Sequence, residues 1–252
     1  AIAAALFGVL RPGDRLLSIT GRPYDTLEEV IGLRGKGQGS LAEFGVAYDE
    51  IDLQPVGAVD EAALSQALEQ PCRMVLIQRS CGYSWRPSVT VEQIAGLCER
   101  IHARQPDCVV FVDNCYGELV QEQEPTAVGA DLIAGSLIKN LGGTIAPTGG
   151  YIAGRADLVE QSCCRLTAPG IGSEGGTGFD LQRLVLHCCA IWKRLSDPGS
   201  ATMVGPPGCS WVWQIWTNCF CADADRDRTR AGLDGPHRVG QVGIGRAARR
   251  GL

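Results

Sequence analysis

The chain predicts an α/β domain: a mostly parallel sheet sandwiched by helices. Short, nearly continuous apolar runs alternate with helix-period segments through the first two-thirds of its 252 residues. Runs of that kind suit strands buried on both faces, which occur where helices cover a parallel sheet. Two of the runs end in a charged residue, Asp113 and Lys139. In open sheets of this class the carboxyl ends of the strands face the ligand crevice.

The elements follow in order. Residues 1–10 read as a helix, stopped by Arg11-Pro12-Gly13-Asp14. Arg15–Thr20 is a strand and Thr26–Leu33 a helix, with Thr26 expected to cap it. Tyr48–Leu53 is a strand, Asp60–Leu68 a helix, and Met74–Gln78 a strand. Thr90–Gln105 has the apolar repeat of a helix, and Cys108–Asp113 is a fully apolar strand with a polar end. Asp131–Ile138 and Gly149–Gly154 are further strands, and Ala156–Leu166 is a helix.

The pattern changes near residue 186. Residues 1–185 are expected to form one large domain, and residues 186–252 an atypical segment. The last 31 residues, 222–252, hold seven arginines, four aspartates and few large apolar side chains. Such a composition buries too little to offset its ordering entropy, so poor structure is expected. The abrupt change also fits a lost reading frame or a lost carboxyl-terminal domain.

Composition narrows the function. A net charge of −5 gives no reason to expect nucleic acid as a partner, and no apolar run reaches membrane-spanning length. The opening apolar stretch lacks a basic leader and a small-residue cleavage site, and with no initiator Met the natural start is expected upstream. The twelve cysteines are scattered or adjacent, with no Cys-x-x-Cys pair. That spacing argues against a zinc site and suits small apolar core residues in a reducing, cytoplasmic compartment. The three histidines, His102, His187 and His237, lie far apart, and His102 reads as a helix-end residue. No metal is expected.

Lys139 is the sharpest single feature. Lysine supplies only three of the 23 basic residues, and this one closes the apolar run from Asp131. A lysine at the mouth of a buried strand is costly to hold as a cation, which favours the nucleophilic amine. Asp113 ends the preceding strand. A lysine to form a Schiff base and an aspartate to keep a pyridine nitrogen protonated are the two residues that pyridoxal 5'-phosphate chemistry needs. Singly, Asp113 reads as a turn former and Lys139 as a surface cation. Ser136 and Lys139 also make a Ser-x-x-Lys pattern, but no Lys-Thr-Gly accompanies it, so a serine hydrolase is not favoured. Ser136 is better placed to bind the cofactor phosphate. Tyr24 is a turn aromatic or a ring-stacking residue. Arg79 is a solvated charge, or it meets the cofactor or a substrate carboxylate. Asn114, Tyr116 and Glu118 share the turn after Asp113 and read as pocket wall.

With these residues in view, the chain resembles the PLP-dependent fold-type I enzymes, and more narrowly the methionine gamma-lyase / cystathionine beta-lyase-like family also known as aluminium resistance proteins. The stretches that carry the resemblance include Gly21-Arg-Pro-Tyr-Asp-Thr26, Gln78-Arg-Ser-Cys-Gly-Tyr83, Val112-Asp-Asn-Cys-Tyr-Gly-Glu118, Asp131–Asn140 and Pro147–Gly154. It covers residues 1 to about 185. It implies that Lys139 is the Schiff-base lysine, Asp113 the pyridinium partner and Tyr24 the ring-stacking residue. It further implies a carbon–sulfur lyase acting on a sulfur-containing amino acid, with the site at the interface of a homo-oligomer. Family members also carry a phosphate-binding turn before the first helix, and a carboxyl-terminal domain with substrate-carboxylate contacts. Neither is recognisable in this chain, so it is expected to be a fragment. The alternative is a non-catalytic remnant of such an enzyme, with the sheet but without turnover.

Overall fold

A computed structural model of the chain describes residues 1–55, 57–139 and 148–174, and the backbone of 211–216 and 219–224. Among the described residues, five α-helices and eight strands run in the order α1 (Ile2–Val9), β1 (Arg15–Ser18), α2 (Asp25–Ile31), β2 (Ala47–Glu50), α3 (Glu61–Ala67), β3 (Met74–Gln78), α4 (Val91–Arg104), β4 (Val109–Asp113), β5 (Leu132–Ser136), β6 (Gly150–Gly154), α5 (Ala156–Leu166), β7 (Trp211–Trp216) and β8 (Cys219–Ala224). Each strand and helix read from residues 1–166 forms, with ends shifted by a few residues at most. The segment 186–252 otherwise lies outside the described residues, as does Gly142-Gly143.

One sheet joins the strands in the order β2-β1-β3-β4-β5-β6-β8-β7. Pairing is parallel from β2 to β5, and again between β6 and β8. β6 returns antiparallel to β5, with Gly150 opposite Ser136. The sequence between them, residues 137–149, is glycine-rich and carries no apolar helical repeat.

Side chains alternate across the sheet and feed two cores. Met74, Leu76, Val109, Phe111, Leu132 and Ala134 pack on the face covered by α1, α2 and α5. Val75, Ile77, Val110, Val112 and Ile133 pack on the other, under α3 and α4. Each fully buried side chain of this size contributes about 1.5–3 kcal/mol.

Local chemistry sets the helix ends. The Thr90 hydroxyl accepts from Gln93 N at 3.2 Å while Gln93 Oε1 accepts from Thr90 N at 2.8 Å, a reciprocal cap that starts α4. From there Val91, Ile94, Leu97, Cys98 and Ile101 form its buried stripe. α2 departs from expectation: Tyr24, not Thr26, is the capping position, and the Asp25 carboxylate accepts from Thr26 N at 2.8 Å. Gly32 ends α2 at φ 102°, a left-handed conformation that favours glycine. No helix among the described residues is long and apolar enough to cross a membrane.

His102 does more than end a helix. Its Nε2 lies 2.9 Å from Asp131 Oδ2, the same oxygen that accepts from Val110 N at 2.9 Å. α4 is thereby tied to the start of β5. Burial alone would push the Asp131 carboxyl up; the hydrogen bonds from His102 and Val110, with the charges of His102 and Arg155, bring it below its usual range.

Two glycines give opposite expectations. A Cβ on Gly8 would lie 2.7 Å from the Ser162 Cα, because α1 rests backbone-to-backbone on α5. Gly8→Val should therefore cost about 1–3 kcal/mol in a urea titration. Gly96 lies within α4, where an added Cβ would meet only the tip of Arg100, at 3.6 Å. Gly96→Ala should stabilise by about 0.5–1 kcal/mol in the same measurement.

Candidate functional site

Strand register decides which sequence-predicted residues meet. Gln78 pairs with Asp113, and Asp113 with Ala134. By the alternation above, Gln78, Asp113 and Ser136 fall on the face of α1, α2 and α5. Tyr24 and Cys115 pack on that face too. Arg79, Asn114 and Gly135 fall on the opposite one.

Asp113 is buried, 2% exposed, at the carboxyl end of β4. Its Oδ1 accepts from Cys115 N at 3.1 Å. Burial raises this carboxyl; the hydrogen bonds from Cys115 and the charge of Lys139 work against the rise. Asp113 and Lys139 therefore act on one another. Tyr24 is half-buried and feels the charge of Asp113. Its phenol is pushed up to about 12, first by burial and then by the negative charge of Asp113. The Tyr24 backbone is held by Gln78, whose Oε1 accepts from Tyr24 N at 3.1 Å. Ser136 is half-buried three residues before Lys139.

Lys139 differs from its expected setting. It is half-buried, and its Nζ lies 4.5 Å from the centroid of the Tyr116 ring. An amine so placed over an aromatic face makes a cation–π contact. Tyr116 is 58% exposed and holds φ 68°. Leu119 sits at φ 58° in the same turn. Left-handed residues of this kind cost about 1–2 kcal/mol each unless their surroundings hold them.

The surroundings include Arg79. It is 4% exposed, and its side chain does not reach toward Asp113 and Lys139. Its guanidinium donates to Asn114 Oδ1 at 2.7 Å, to the Gly117 carbonyl at 2.8 Å and to Gln121 Oε1 at 2.9 Å, with Glu124 at 3.7 Å. Glu124 completes the loop by accepting from Leu119 N at 2.7 Å and Asn114 Nδ2 at 2.8 Å. Gly117 is bare because a Cβ there would collide with the guanidinium.

Sequence reasoning missed the layer beneath. Tyr151, in β6, reads as one more apolar strand residue. Its hydroxyl accepts from Asn114 Nδ2 at 3.1 Å and donates to Glu118 Oε1 at 3.0 Å. Gln78 was also missed; its only signal is a polar residue closing an apolar strand.

As a set, Asp113 and Ser136 at the carboxyl ends of β4 and β5, Lys139 three residues beyond β5, and Tyr24 at the start of α2 offer a buried acid, a hydroxyl, an amine and an aromatic. This donor set fits pyridoxal 5'-phosphate. A carboxyl raised by burial is one that a bound pyridinium would bring back down, as the Lys139 charge already does in part.

Comparison with known proteins gives the same direction. The methionine gamma-lyase family model matches residues 1–192. The Bacillus subtilis protein YnbB is 50% identical over 186 residues, covering 73% of this chain and 44% of its own length. The crystal structure of a carbon-sulfur lyase involved in aluminum resistance from Clostridium novyi superposes with a TM-score of 0.74 at 46% identity, over 78% of this chain and 47% of that one. L-Methionine gamma-lyase of Pseudomonas putida is 30% identical over 164 residues, 64% of this chain and 36% of that enzyme. The chain thus spans about half the length, or less, of these relatives.

Glu118 gives the site a pH signature. It is 2% exposed, and burial, with the charges of Glu124 and Asp113, pushes its carboxyl up to about 7. A raised acid stabilises the fold fully below its unfolded value, and that contribution is lost as pH rises through about 7. Asp113 and Glu124 are also raised, and act in the same direction. Thermal melts should therefore show the chain less stable at pH 8 than at pH 5. Glu118→Gln should flatten that dependence, by an amount on the order of a few kcal/mol.

Proposed function

The chain belongs to the methionine gamma-lyase family, and we propose that it is a PLP-dependent carbon–sulfur lyase-like protein acting on a sulfur-containing amino acid. The observation that carries this reading is the buried Asp113 carboxyl at the end of β4, within electrostatic reach of both Lys139 and the Tyr24 phenol. The names of the relatives supply the leaving-group chemistry.

Each residue has a role in this reading. Lys139 Nζ would hold the cofactor aldehyde and would move the proton at the substrate α-carbon. Asp113 would hold a proton on the pyridine nitrogen, its burial strengthening that charge pair. Tyr24, oriented by Gln78, would hold the ring, and Ser136 would hold the phosphate. The cofactor, when bound, supplies the electron sink for cleavage at that carbon. Arg79 acts at one remove, through the turn it holds. Free cysteines, most of them buried among the described residues, support a reducing cytoplasm, and the family resemblance supports a homo-oligomer.

A second reading is a chain of this fold without turnover, with weak or absent PLP binding. One experiment separates the two. Borohydride reduction in the presence of PLP, followed by peptide mapping, is expected to fix the cofactor on Lys139. Asp113→Asn should weaken PLP binding by at least about tenfold, since a pyridinium facing a neutral amide loses its counter-charge. Cofactor fixed at another lysine, or none fixed, would remove the leading reading.

A further inference from the structure

We propose that Tyr151 is a positioning residue for the Lys139 amine and the Asp113 carboxyl, acting through Asn114 and Glu118. This rests on the reading above for what the two groups do, but not for how they are held.

The argument starts from one oxygen. The Tyr151 hydroxyl takes a hydrogen bond from Asn114 Nδ2 and gives one to Glu118 Oε1. Those two residues bracket the turn that follows Asp113. Asn114 is its first residue, fixed also by Asn114 N donating to the Ala134 carbonyl at 2.9 Å. Glu118 lies two residues beyond Tyr116, whose ring covers the Lys139 amine. A single buried hydroxyl therefore bridges the two ends of the turn directly, in addition to the bonds from Arg79 and Glu124.

The same pair bears on the strand that leads to Lys139. A Cβ on Gly135 would lie 2.5 Å from Tyr151 Cε1 and 2.7 Å from its hydroxyl, and would collide with Glu118. β5 is packed directly against the Tyr151–Glu118 pair through a residue with no side chain. Four residues later comes Lys139. The phenol is 5% exposed and Glu118 2%, so water offers no ready substitute for either bond. Asn114, Glu124 and Asp113 are the polar and charged groups that face this pair from β4 and its loop, and Arg79 reaches it through Asn114. The hydroxyl is one tie on each end of the turn, beside those from Arg79 and Glu124, and its loss lets Tyr116 and Asp113 shift relative to Lys139.

Tyr151→Phe removes that oxygen and little else. Titrated with PLP, the variant is expected to bind about tenfold more weakly than the parent. The pH midpoint of its cofactor absorbance should move by roughly half a pH unit or more. Ile101→Val, a mild core change on α4, serves as a stability control and should leave the midpoint in place. An unchanged dissociation constant and midpoint in Tyr151→Phe, or a shift shared equally by Ile101→Val, overturns the proposal. If the parent chain takes up no PLP, the functional reading fails separately. The positioning claim is then read on the chain alone, from acetic anhydride labelling of Lys139 relative to exposed Lys36, mapped by mass spectrometry. A changed ratio in Tyr151→Phe supports it, and an unchanged one overturns it.

Discussion

Taking a guanidinium out of water is expensive, and Arg79 makes the arrangement around it nearly obligatory. A charge this deeply buried must be met by acceptors from every side. Asn114, Gly117, Gln121 and Glu124 meet it, and all four come from the loop after β4. The loop is therefore folded around a cation supplied by β3. Its two left-handed residues, Tyr116 and Leu119, are held by that need and not by their own preferences. What reaches the carboxyl ends of the strands, an aromatic ring over an amine and an acid beside both, is the outer surface of this packing.

The sheet keeps two kinds of polar chemistry apart. On the face of α1, α2 and α5 lie Asp113, Ser136 and Tyr24. On the opposite face lie Arg79, Asn114 and Glu118 with Tyr151, closed off and bonded to each other. Adjacent residues such as Asp113 and Asn114 serve different faces because strand side chains alternate. A single-residue slip of β4 would exchange them, and the apolar cores above and below make such a slip prohibitive.

Much of this was legible in the residues. α4 announces itself through its repeat and through Thr90 and Gln93. The strand-end positions of Asp113 and Lys139 follow from apolar runs that stop abruptly. The face each side chain takes was less legible, because it depends on register with a neighbouring strand. Arg79 looked as available to a ligand as Asp113 until Gln78 was seen opposite Asp113. Tyr151 carried no polar signal in a run of small and apolar residues. Thr26 had the chemistry of a cap, but Asp25 starts the helix one residue earlier and takes the Thr26 amide. The antiparallel return of β6 was open as well, since a glycine-rich connection states no direction by itself.

The bond from Arg79 to the Gly117 carbonyl spans 38 positions of sequence. The turn it closes has little local reason to exist, so an unfolded or nascent chain should leave Tyr116 and Leu119 in ordinary extended or helical conformations. Only after β3 and β4 have docked can the two residues be forced left-handed. The ligand-facing surface is then among the last parts of the molecule to acquire its shape during folding and among the first to lose it. Weakening the clamp would shorten the lifetime of the native state while leaving the rate of its formation largely untouched.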